Sequence, residues 1–186
     1  SSIVSHSKTL GYVPSSARAA KATVDVTLNT NDSTATMPAG TVFNTTVDDV
    51  SFQFSTIQSF TKSNTGNSIP FGGGDIFEGT FITTRYTVDT SDIDQRFLLT
   101  DNRADTSTLI VKVQTSSTDS SSNTFTEATD ITQVTAGSNV FFLQEVEAGL
   151  FEVYFGDGVI GTALSDDNIV ILTYVVSNKT VANGAS

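Results

Sequence analysis

The chain reads as an all-β protein, mainly antiparallel and sandwich-like, with one short helix near residues 14–22. Three observations point there. Apolar residues recur at every second position in short segments from Val24 to Val176, the period of a half-buried strand. Clusters of Gly, Asn, Asp and Ser punctuate those segments about every 8–12 residues, as in sandwiches and barrels. The composition agrees: 38% of residues are hydrophobic, 13 are Phe, only 16% are charged, and Ser and Thr supply most of the polarity. Thr, Val and Phe suit a pleated surface, whereas Ser, Gly and Asn suit bends.

The elements follow in order. Pro14 to Ala22 holds four Ala with Arg18 and Lys21, which favours two to three turns of helix capped by Ser15 or Ser16. From Thr23 the period becomes two, with Val24, Val26 and Leu28 on one face. Asn29 to Ser33 forms a turn, Thr34 to Met37 a short strand, and Pro38-Ala39-Gly40 a second turn before Thr41-Val42-Phe43. Ser51 to Ser55 alternates around Phe52 and Phe54, and Ile57 to Thr61 follows. Lys62 to Gly74, with its three consecutive glycines, reads as a mobile loop. Ile76 to Val88 is one long strand, or two with a kink. Thr90 to Arg96 is a polar connection. Further strands are expected at Phe97–Leu99, Leu109–Val113, Phe125–Ile131, Val140–Leu143, Leu150–Phe155 and Ile169–Val176.

A length of 186 residues fits one domain or two small β subdomains. Thr115 to Asn123 is nearly all Ser, Thr, Asp and Asn. It reads as a linker or a hairpin tip, placing residues 23–114 in a first subdomain and 124–186 in a second. Residues 1–22 form an N-terminal segment that carries the short helix.

Composition excludes much chemistry. There is no Cys, so disulfides, thiolate metal sites and a cysteine nucleophile are absent; a Ser-His-Asp triad would depend on His6 alone. The net charge is −11 with no basic cluster, which argues against a nucleic-acid partner. No apolar run has the length of about 18 residues that a membrane-crossing helix needs. The start, SSIVSHSKTL, lacks the charged and apolar regions of a signal peptide.

Few motifs suggest chemistry. Gly156, Asp157, Gly158 and Gly161 form the sharpest one. No base or helix follows as a phosphate loop requires, so it reads as a structural turn in which Asp157 and Gly158 supply positive φ. Oxygen-rich groups at Asp92 and Asp94, at Asp101 and Asp105, and at Asp166, Asp167 and Asn168 do not match a calcium loop and are expected in turns. Glu78, Glu127, Glu145, Glu147 and Glu152 lie on or near strands, where two close carboxylates would do glycosidase chemistry. No catalytic residue, metal ligand or cofactor site is expected from these patterns.

Four stretches, in order, carry a family resemblance. They are Leu10-Gly11-Tyr12-Val13-Pro14; Met37-Pro38-Ala39-Gly40-Thr41-Val42-Phe43 followed by Phe52-Gln53-Phe54; Asp105 to Val113; and Phe151 to Gly161 followed by Val170 to Val176 and Ala182-Asn183-Gly184. Together they resemble the baseplate wedge proteins of contractile-tailed, T-even-type bacteriophages, the baseplate J-like family. The resemblance implies a structural role without catalysis or cofactor. Its partners would be other baseplate wedge proteins and further copies of the chain, within the virion tail baseplate assembled in the host cytoplasm. Full-length members carry helical regions on both sides of this β part, so the chain resembles a middle β-rich fragment. The rival reading is an adhesin-like or carbohydrate-binding β-sandwich module, a class that also tolerates acidic, Cys-free, Ser/Thr-rich chains.

Overall fold

The computed structural model describes residues 16–178. The protein is all-β and mainly antiparallel, with two single-turn 3-10 segments at Ile131–Gln133 and Glu147–Gly149. Its strands are β1 (Lys21–Asn29), β2 (Thr34–Met37), β3 (Val42–Val47), β4 (Val50–Thr56), β5 (Phe60–Ser63), β6 (Ser68–Glu78), β7 (Thr80–Thr87), β8 (Phe97–Leu99), β9 (Ala104–Gln114), β10 (Ser122–Glu127), β11 (Val140–Glu145), β12 (Phe151–Phe155) and β13 (Ile169–Val176). Period-two alternation foretells most of them. In β1, Ala22, Val24 and Val26 are half-buried while Lys21, Thr23 and Asp25 are exposed.

The chain forms two compact units, one of residues 83–104 and 109–173, the other of residues 17–82, 105–108 and the C-terminal part from Tyr174. This differs from the expected division at 115–123. Of the two alternatives for this stretch, linker or hairpin tip, the structure has the second: residues 115–121 form the tip of the β9–β10 hairpin, where Gln114 pairs with Ser122 and Thr115 N–H donates to Ser121 C=O at 2.9 Å. The C-terminal strand β13 is also inserted between β7 and β9, so residues far apart in sequence share one sheet. Linear composition does not show that insertion.

The first unit contains most of a seven-stranded sheet in the order β7-β13-β9-β10-β11-β12-β8. Every pairing whose register is defined here is antiparallel except β10–β11, which is parallel. Its core includes Leu99, Val111, Phe125, Phe141, Phe151, Val153, Phe155, Val170 and Leu172, all buried. Edge-to-face ring pairs link Tyr86 to Phe97, Phe97 to Phe155, and Phe155 to Phe125 at centroid separations of 5.7, 5.5 and 5.4 Å. Each such pair adds about 0.5–1.5 kcal/mol beyond the area it buries.

The second unit contains a four-stranded sheet, β1-β6-β4-β3, and the β2–β5 pair. Met37, Ile69 and Phe71 form a buried cluster, with Val26, Ala35, Phe43 and Phe60 packed against it. Two expectations fail here. Lys62 to Gly74 is not a mobile loop: Ile69 and Phe71 are core residues of β6, and the triple glycine lies within that strand. The glycines serve a bulge. The register of β1 and β6 shifts between Val24 and Val26, Gly73 has φ +70°, and its N–H donates to Asp25 Oδ1 at 2.8 Å. The short helix is absent over residues 16–22 as well, and Pro14 and Ser15 lie outside the described residues. Lys21 and Ala22 pair with Phe77 and Ile76, Ala20 C=O accepts from Glu78 N–H, and Ala19 N–H donates to Asp105 Oδ2. Backbone pairing with β6 therefore outweighs a helix propensity worth only tenths of a kcal/mol, about 0–0.7 per residue.

Candidate functional site

A groove of about 460 Å³ lies in the first unit, lined by residues 93–97, residues 152–156 and Leu164. Pairing of β8 with β12 builds its floor, setting Phe97 opposite Val153 and Leu98 opposite Glu152. The ring pair of Phe97 and Phe155 backs it, and Ile93, 93% exposed, stands among its lining residues.

An ion pair carries the polarity of the groove. Arg96 donates from Nε at 2.8 Å and from Nη2 at 2.6 Å to the same oxygen, Oε2 of Glu152. The Glu152 side chain is only 6% exposed, whereas that of Arg96 is 46% exposed. The carboxylate is thus held inside while the guanidinium reaches outward. The hydrogen bond and charge of Glu152 raise the Arg96 pKa. Burial raises that of the Tyr154 phenol, aided by the negative charge of Glu152 and a hydrogen bond to it. Near neutral pH the group is therefore a neutral phenol beside a compensated ion pair.

The strand carboxylates that glycosidase chemistry would need close together lie apart. Glu152 faces Gln144 and Glu145 faces Phe151 across β11 and β12, so the two acids leave the ladder on opposite faces. Glu78 is buried and accepts from Ser177 Oγ at 2.9 Å. Glu127 and Glu147 are exposed. His6 lies outside the described residues, as do the resembling segments 10–14 and 182–184.

The acidic clusters are occupied by backbone. In four Asp-x-Ser/Thr triplets, beginning at Asp89, Asp105, Asp119 and Asp130, one carboxylate oxygen accepts two bonds from the residue two places on. The N–H is at 2.9 Å in every case, and the hydroxyl is at 2.5–2.7 Å. Asp92 accepts from Asp94 N–H, Asp101 holds Arg103, and Asp166 accepts from Thr90. Asp167 sits in the left-handed region at φ +63°, and Asn168 Oδ1 accepts from Ser165 N–H. Among the described residues no three His, Asp or Glu side chains converge on a point where a metal ion would sit. The Asp-x-Ser/Thr spacing is visible in the sequence and marks turn formers at Asp89, Asp119 and Asp130; Asp105, also expected in a turn, instead lies buried at the start of β9.

These turns make stability sensitive to acid. Hydrogen bonds from Ser91, Ser121 and Thr132 lower the pKa of Asp89, Asp119 and Asp130, and those from Ile160 and Val159 lower that of Asp157. A carboxyl whose folded pKa lies below its unfolded value stabilises the fold above the unfolded pKa, about 3.9. That contribution is lost as pH falls through the folded pKa. The urea midpoint is therefore expected to hold steady from neutral pH and fall below about pH 4. A midpoint unchanged well below pH 3 would contradict the assignment.

The Gly156–Gly161 motif is a structural loop between β12 and β13, strands that are not neighbours in the sheet. Gly158 and Gly161 have positive φ, +84° and +80°. Asp157 does not, contrary to the sequence expectation; it acts as a cap, accepting from Val159 N–H and Ile160 N–H, both at 2.9 Å. Gly156, which lines the groove, approaches Gly161 so closely that a Cβ would lie 2.3 Å from its carbonyl atoms. The motif shapes one side of the groove without contributing a reactive group. No protein-family model matches the chain, and no curated protein sequence matches it.

Proposed function

We propose that this chain is a structural domain of a phage tail baseplate wedge, acting through protein–protein contacts. The observation that carries this reading is the ordered set of resembling stretches, whose described residues do packing and turn work. Met37 is buried, Pro38 C=O accepts from the hydroxyls of Thr41 and Thr56, and Gly40 packs against Phe81. Val111, Phe151 and Phe155 are core residues, Asp105 is a buried carboxylate in β9 that accepts from Ser107, and Asp157 holds a turn. These positions specify a scaffold, and none is placed as a nucleophile beside a base. Mixing the chain with the other wedge proteins of a contractile tail should yield a complex that co-elutes in size-exclusion chromatography. Failure to join any such complex would remove the reading.

A second reading rests on the groove. Arg96, Glu152 and Tyr154 offer fixed donors and acceptors beside Phe97, the combination of polar groups and ring surface that suits a sugar. A specific hit on a glycan array, abolished by Tyr154→Ala, would favour the carbohydrate-binding module.

A further inference from the structure

We propose that β3 is an interface strand through which two copies of this chain pair edge to edge, antiparallel, about a two-fold axis at Thr45. The proposal deepens the assembly reading by naming a contact between copies, but it rests on the strand's geometry alone.

β3 ends the order β1-β6-β4-β3, so one of its sides has no strand beside it among the described residues. A long, flat, uncharged edge invites pairing, and proteins usually blunt it with charge, proline, a bulge or shortness. The other edge of this sheet is blunted: β1 carries Lys21 in an ion pair with Asp75, exposed Asp25, and a register shift. Likewise β8 is three residues long, and β7 carries Arg85. β3 has none of these devices. Its sequence is VFNTTV, without charge, Pro or Gly, and Val42 and Val47 are 47% and 54% exposed.

The backbone determines which groups are available. The β3–β4 hairpin turns at Asp48-Asp49, both at positive φ, and Val47 pairs with Val50. A two-residue turn of this kind makes the flanking residues a mutually hydrogen-bonded pair. Val47, Thr45 and Phe43 therefore direct their N–H and C=O groups to β4, in keeping with the bond from Thr56 N–H to Thr41 C=O. Val42, Asn44 and Thr46 direct theirs outward.

Self-pairing centred on Thr45 satisfies that edge. Asn44 of one copy and Thr46 of the other become hydrogen-bonded pairs, twice by symmetry. Thr45 meets Thr45, and Phe43 meets Val47, at non-hydrogen-bonded positions where Cα atoms come within about 4.5 Å. Thr–Thr and aromatic–β-branched pairs are favourable there. Phe43 packs against the Met37, Ile69 and Phe71 cluster, so the second copy's Val47 extends an existing apolar surface. Charge permits this arrangement at the seam. Each copy has a net charge of −11, yet β3 is neutral, and this register holds the two Asp48 residues six positions apart, roughly 20 Å. That exceeds the screening length of about 8 Å at physiological salt.

Sedimentation velocity over a concentration series, combined with amide hydrogen exchange, tests the pairing. The parent chain should dimerise reversibly, and exchange at Val42, Asn44 and Thr46 should slow as the dimer fills. Thr45→Lys sets two cations face to face at the axis and should abolish the dimer without moving the melting midpoint. Asn44→Pro removes an outward N–H and should abolish it too. A parent that stays monomeric at every concentration overturns the proposal while leaving assembly with other tail proteins untouched. A dimer that persists in Thr45→Lys overturns it, and so does a monomer whose β3 amides are protected only by a different protein's strand.

Discussion

Replacing Gly79 with Ala is expected to lower stability by about 3 kcal/mol or more, because strain and overlap both act at this position. Gly79 joins β6 to β7 at φ +131°, a region open essentially to glycine, and strain there costs of order 1–3 kcal/mol. A Cβ would lie 2.2 Å from Val176 C=O and 2.8 Å from Val175 Cγ1, an overlap that backbone on β13 must relieve. Overpacking of this kind typically costs a further 1–3 kcal/mol. The residue has nowhere to retreat. Its N–H donates to Gln53 C=O at 2.8 Å, and its C=O accepts from Ser55 Oγ at 3.2 Å and Gln53 Nε2 at 3.3 Å. Since whole domains are stable by only about 5–15 kcal/mol, such a loss is a large fraction. For a chain of this size it corresponds to a fall in Tm of roughly 6–12 °C. A calorimetric midpoint within a degree of the parent would show that the kink can relax.

Gly79 also marks where sequence reading stops. Period-two alternation from Ile76 to Val88 reveals strand, and the glycine reveals a possible kink, but the neighbour that forbids a side chain comes from β13, nearly a hundred positions on. The same limit explains the other misreadings. Ala19 to Ala22 carries a helix preference that pairing with β6 overrides, and that partner is not visible locally. Gly72-Gly73-Gly74 signals flexibility in isolation, yet opposite Asp25 it makes a bulge in a strand anchored by Ile69 and Phe71. By contrast, β13 matches its expected bounds, Ile169–Val176, because an eight-residue apolar run bounded by turn residues has few alternatives. The groove was less legible. Glu152 stands out in sequence only as one of five strand carboxylates. Its pairing with Arg96 depends on β8 lying beside β12, a contact between segments more than fifty residues apart.

Among three changes in the Gly156–Gly161 loop, Gly156→Ala should be the most damaging, exceeding Gly158→Val, with Asp157→Asn close to neutral. The order follows from what each new atom meets. At Gly156 a Cβ would fall 2.3 Å from both C and O of Gly161 and 2.5 Å from Ile160 C=O. Those atoms are fastened: Gly161 C=O accepts from Gly158 N–H, Gly161 N–H donates to Thr135 C=O, and Thr162 N–H donates to Ser138 C=O, all within 3.0 Å. Relief requires breaking some of these bonds or displacing Phe155, whose burial is worth roughly 1.5–3 kcal/mol. At Gly158 a Cβ has room, its nearest neighbour being Ala163 Cβ at 3.7 Å, so the cost is confined to the left-handed backbone, about 1–2 kcal/mol. Asn at 157 keeps the Oδ1 acceptor for the two amides that Asp157 caps. Urea melts of the three variants should therefore rank in that order. Because Phe155 and Gly156 line the groove, Gly156→Ala should also disturb the Phe97–Phe155 ring contact, read as a shift in their aromatic NMR signals. A Gly156→Ala protein as stable as Gly158→Val would mean that the close approach of the two glycines does not limit this loop.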